Sequence, residues 1–156
     1  MSTEIDWYDL LGTPYHLHGS GTDGLDCMGI AEVISSRAGI STPPSAPWRG
    51  PKEATQPWAF DAYFGASSWD RLGGTPESAT AVGDLVLTGT HGGAQGVFVL
   101  ASAQTRTFLT SQPGRGVTAL SMSGLMRLSE SILGVYRKAA GDTRQTSAEA
   151  QRESHR

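Results

Sequence analysis

The chain reads as an α+β protein, a helical first half followed by an antiparallel sheet. Three observations predict this. Behind a Gly-rich stretch that ends at Gly24, apolar residues recur at helical spacing: Leu25, Met28, Ile30, Ala31, Val33 and Ile34. After Asp84 the pattern becomes short β-rich runs between turns, "DLVLTGT", "QGVFVLAS", "RTFLT" and "SILGVYRK". And 156 residues, 38% of them hydrophobic, are enough for one domain with a real core.

In chain order, Trp7 to Leu11 is short and apolar, and suits an opening helical turn. Glycines at 12, 19, 21 and 24 with Pro14 make the next stretch turn-rich. The helical pattern then runs from Leu25 to Gly39, which can take the positive φ of a helix stop. "STPPSAPWRGP" must be a loop, because its four prolines lack backbone donors. Residues 54–69 carry Trp58, Phe60, Tyr63, Phe64 and Trp69 and read as a second helix, and "GGTPESATAVGD" as another loop. Between the β-rich runs, residues 123–129 suit a short helix. Residues 139–156 contain no large apolar side chain, so burial there cannot offset ordering entropy. The expected organisation is a domain over 1–138 and a polar arm over 139–156, mobile unless docked on a partner.

Composition removes several functions. A net charge of -3 gives no electrostatic case for nucleic acid or an anionic membrane. No run approaches the roughly 18 apolar residues of a membrane span. The start, "MSTEIDWYDL", lacks the basic and apolar regions of a signal peptide, so a chain acting outside its cell is expected to be carried there. One cysteine and four scattered histidines do not have zinc-site spacing, and Gly19-Ser20-Gly21 lacks the Lys-Ser/Thr ending of a phosphate loop. No metal or cofactor is expected. The aromatic residues read mostly as core, with Trp48 and Trp58, near prolines, open to a groove or subunit contact.

The single cysteine, Cys27, stands where the Gly-rich stretch enters the helix. There the unpaired N–H groups and the positive end of the helix dipole favour a thiolate, with Asp26 beside the cap. By itself this is also the place of an inert buried cysteine.

The surrounding "LLGTPYHLHGSGTDGLDCMGIAEVISSRAGIS" resembles the NlpC family of papain-like cell-wall cysteine peptidases. The resemblance rests on Leu11, Gly12, Pro14 and Tyr15, on Gly19, Gly21 and Gly24, and on Asp26, Cys27 and Gly29. It continues through "GDLVL" at 83–87 to "ILGVYR" at 132–137, which is similar to the closing strand of phage tail-associated members. It implies a cysteine helix packed on an antiparallel sheet, with Cys27 as nucleophile and Tyr15 in contact with it. In the family a strand-opening histidine takes the thiol proton, and a later polar residue orients that histidine. Here those places fall on Gln95 and Thr110, and neither can act as a base near neutral pH. His91, four residues earlier, is the candidate substitute. His16 and His18 read as solvent-facing loop residues, and His155 lies in the arm.

Two functional expectations follow. One is a structural, catalytically degenerate component of a phage or phage-like tail tip or baseplate, whose partners are other tail proteins. The other is an active peptidoglycan endopeptidase carried by such a tail, cutting a stem peptide next to D-glutamate or diaminopimelate.

Overall fold

The computed structural model describes residues 4–16, 20–21, 24–41, 64, 68–89, 95–112, 114–129 and 131–139. Among these, strands β1 (Ser20–Gly21) and β2 (Gly24–Leu25) form a small antiparallel bridge just ahead of helix α1 (Cys27–Arg37). Strands β3 (Trp69–Gly73), β4 (Leu85–Gly89), β5 (Gln95–Ser102), β6 (Thr107–Gln112), β7 (Gly116–Leu120) and β8 (Ser131–Lys138) follow, with helix α2 (Met122–Leu128) before the last. The six long strands make one sheet in the order β3-β8-β4-β5-β6-β7, antiparallel at every pairing.

Strand alternation sorts the apolar residues onto two faces. Leu85, Leu87, Val97, Val99, Leu109 and Tyr136 form one core with Met28, Ile30 and Ile34 of α1. Val86, Phe98, Leu100, Phe108 and Val135 form the other, closed by Leu125 of α2. Met28, Ile30 and Ile34 are fully buried, and each such side chain contributes about 1.5–3 kcal/mol. The antiparallel sheet with a helix on each face is the α+β arrangement expected from the sequence.

Two contacts fix the ends of the cysteine helix. Asp26, extended and buried, accepts a hydrogen bond from Gly29 N at 2.7 Å and caps the N-terminus. At the other end Arg37 donates to both carboxylate oxygens of Asp9, at 2.7 and 2.9 Å, and to the Asp6 carbonyl. The sheet has its own clamp. The Asp84 carboxylate accepts from Thr80 N and Ala81 N and from two nitrogens of Arg137, at 2.8 and 2.6 Å, tying the start of β4 to β8.

The structure refines the expected elements. The opening helical turn is a 3-10 turn over Tyr8–Leu10. Helix α1 begins at Cys27, because Leu25 is held in the β1–β2 bridge and Asp26 is extended. The short helix is found at Met122–Leu128, capped by Ser121. Strands β3 and β7 were hidden in the sequence: β3 is an edge strand with Asp70 and Arg71 exposed, and β7 is led in by Gly114 and Gly116. Trp69, expected to end a helix, instead opens β3 opposite Lys138. Phe64 is helical and stacks on Tyr136, whereas the rest of the expected helix before 68 lies outside the described residues. The arm over 140–156 lies outside them as well.

Candidate active site

The backbone around Cys27 is over-determined. Leu25 N donates to the Pro14 carbonyl at 2.9 Å, and His16 N reaches the Leu25 carbonyl at 3.4 Å. From the other side Gly12 N donates to the Val117 carbonyl and Val117 N to the Thr13 carbonyl. The segment carrying Tyr15 is therefore held between β2 and the β7 edge. Gly116 is required for this: its φ is +70°, and a Cβ there would collide with the Thr13 carbonyl oxygen.

Helix α1 lies across β5 and β6, which brings Cys27 to β5 at Val97. Burial is the largest influence on the thiol and pushes its pKa up to about 11, although the residue keeps partial exposure. The Val97 N–H and the N–H groups of Cys27 and Met28 oppose that rise, whereas the Asp26 charge adds to it. A thiol raised in this way is predominantly protonated near pH 7. The half-buried Tyr15 phenol belongs to the same group: burial raises its pKa first, and the charges of Cys27 and Asp26 raise it further.

The structure thus brings Cys27, Asp26 and Tyr15 together. Gln95 is the first residue of β5, paired with Gly89. Thr110 is placed elsewhere. It alternates with Leu109, which packs on the α1 side, so it shares the opposite face with Phe108. Its hydroxyl is buried and donates to the Val97 carbonyl at 2.8 Å. A one-residue step along a strand reverses the face, and this step separates Thr110 from the cysteine side of the sheet.

The residue on the α1 side is Ser111, which the sequence reading missed. Its buried hydroxyl donates to the Leu25 carbonyl at 2.6 Å, two residues before the cysteine. Period-two counting from Leu109 was the signal that would have found it. His16 is exposed, whereas His18, His91 and His155 lie outside the described residues. Among the described residues no group of three His, Cys, Asp or Glu is arranged to hold a metal, and no helix is long and apolar enough to cross a membrane.

The arrangement presents a sulfur at the start of a helix, with N–H donors from α1 and β5 directed at it. Such a site can attack a carbonyl and hold the resulting oxyanion once a base removes the thiol proton. A model of the NlpC/P60 family matches residues 12–137, which include every element of the site. Among curated proteins none matches the chain with significance.

Proposed function

Because the chain belongs to the NlpC/P60 family, a family of cell-wall peptidase type, we propose that it is a catalytically degenerate member serving as a structural component of a phage or phage-like tail tip or baseplate. One observation carries the degenerate part of this reading: Gln95 stands where the resemblance places the base, and burial pushes the Cys27 thiol pKa up. A working cysteine peptidase lowers that value with a nearby positive charge, usually an imidazolium. The described groups around this sulfur are instead backbone N–H donors, a carboxylate and a phenol. A glutamine at 95 and a threonine hydroxyl spent on a carbonyl supply no base. Loss of a positioned base lowers a rate by about 10²–10⁴-fold. The tail setting is supported by the closing strand "ILGVYR", here within β8, which resembles tail-associated family members. The polar segment 139–156 serves in this reading as the arm toward neighbouring subunits, and peptidoglycan stem peptides remain natural ligands of the Cys27 site.

A second reading, an active endopeptidase, has its own observation. The N–H groups of Val97, Cys27 and Met28 all favour charge on the sulfur, the part of the machinery that a nucleophile needs. In that case His91 takes the thiol proton, the sulfur bonds to the peptide carbonyl carbon, and the proton passes to the departing amine. Water then releases the acid from the thioester and restores the thiol.

Purified protein incubated with muropeptides, beside Cys27→Ala and Gln95→His chains, separates the readings. Wild-type product formation no greater than that of Cys27→Ala is expected, with measurable gain in Gln95→His. Wild-type cleavage that Cys27→Ala abolishes would overturn degeneracy. The tail assignment falls if the chain is missing from purified particles by mass spectrometry.

A further inference from the structure

Outside the residues so far given a role, Ser111 is a buried side chain that reaches the backbone just ahead of the cysteine. We infer that Ser111 is a positioning residue for Cys27, its hydroxyl fixing the height of the first turn of α1 over β5 through the Leu25 carbonyl. The inference rests on reading Cys27 as the reactive group of the site, but on no assumption about whether it still cleaves.

The geometry is specific. Ser111 is on β6, paired there with Val117 of β7, and β6 also pairs with β5 up to Leu109, so its Oγ comes from an interior strand of the sheet. The 2.6 Å bond ends on the carbonyl of Leu25, and that residue continues directly into the Asp26 cap and Cys27. The other donor to the same carbonyl is His16 N at 3.4 Å, a much weaker bond. Leu25 is therefore tied to the sheet by one short side-chain bond and to the Tyr15 segment by its N–H to Pro14. The second tie reaches the sheet through the Tyr15 segment and its bonds to Val117, so the Ser111 bond is the direct one between the sheet and the helix start, and it sets the distance between them. That distance decides how closely the Val97 N–H meets the sulfur and how much water reaches it. The Ser111 proton is used on Leu25, but its oxygen keeps lone pairs, so the residue holds the backbone without acting as a base.

The experiment uses the full chain labelled with 13Cβ-cysteine, which gives a single signal because Cys27 is the only cysteine. Its chemical shift is followed against pH in wild type, Ser111→Ala and Ser111→Thr, with circular dichroism confirming the fold at each point. In Ser111→Ala the helix start is expected to lift and admit water. The midpoint then falls by about one unit toward the ordinary thiol range, a tenfold gain in thiolate at fixed pH. Ser111→Thr keeps the hydroxyl and is expected to keep the wild-type midpoint. A purely structural serine would lower the melting temperature in Ser111→Ala and leave the midpoint in place, and that outcome overturns the inference. If Ser111→Ala does not fold, Ser111→Thr decides alone: a folded chain with a midpoint displaced by about half a unit or more refutes the role. The muropeptide assay reports independently, so a failure here leaves the functional reading standing, and the reverse also holds.

Discussion

Raising the pH should remove stability from the wild-type chain that a Cys27→Ser chain keeps. The thiol sits at about 11 in the fold against an ordinary value of 9.0, so the folded state resists ionisation. A folded value raised above the unfolded one gives a contribution that is whole below about pH 9 and is lost between about 9 and 11. At about pH 10 the unfolded thiol is neutral in about one molecule in eleven and the folded thiol in about ten of eleven. That tenfold ratio corresponds to a loss of about 1.4 kcal/mol. It is an upper value, since Cys27 keeps partial exposure and water screens part of the effect. Urea titrations of both chains between about pH 7.5 and 10 measure it, and subtracting one series from the other cancels the lysines and the tyrosines other than Tyr15. The wild-type advantage should shrink steadily across that window. A difference that stays constant to within about 0.3 kcal/mol would show that the sulfur is not desolvated, and the argument for a resting thiol would fail with it.

Two further substitutions test the supports of the site. Asp84→Asn keeps the shape but weakens the acceptor for Thr80 N, Ala81 N and both Arg137 nitrogens. Arg137 retains 38% side-chain exposure and can turn to water, so a loss of about 2–3 kcal/mol is expected rather than the full penalty of a buried pair. At this chain length that is a fall in Tm of about 4–12 °C, and a fall under about 2 °C would show the clamp to be idle. Gly116→Ala must hold φ near +70° and push against the Thr13 carbonyl. A loss of at least about 2 kcal/mol is expected, with an altered Tyr15 environment by fluorescence or NMR. A stable variant with an unmoved Tyr15 would remove Gly116 from the account.

The local features of this protein were legible in its residues. A Gly-rich turn, an aspartate and a helical apolar pattern identify a capped helix start at Cys27, because capping and periodicity depend on residues a few positions apart. The β-rich runs at 85–89, 95–102 and 131–138 announced strands for the same reason, each sending apolar side chains into both cores. The edge strands β3 and β7 stayed hidden. They need not follow this pattern: β3 is held by β8, far away in the chain, and β7 by the hairpin it closes on β6. The same limit separates Thr110 from Ser111. Both are polar, buried residues of one strand, and composition treats them alike. Only the pairing of β5, β6 and β7 beneath α1 turned Ser111 toward the cysteine side and Thr110 away, since a pleated strand reverses its face at every residue. The state of the thiol was likewise a tertiary matter. A helix start alone argues for a thiolate, but here the burial imposed by β5 and the surrounding segments outweighs the N–H donors and holds the proton on the sulfur.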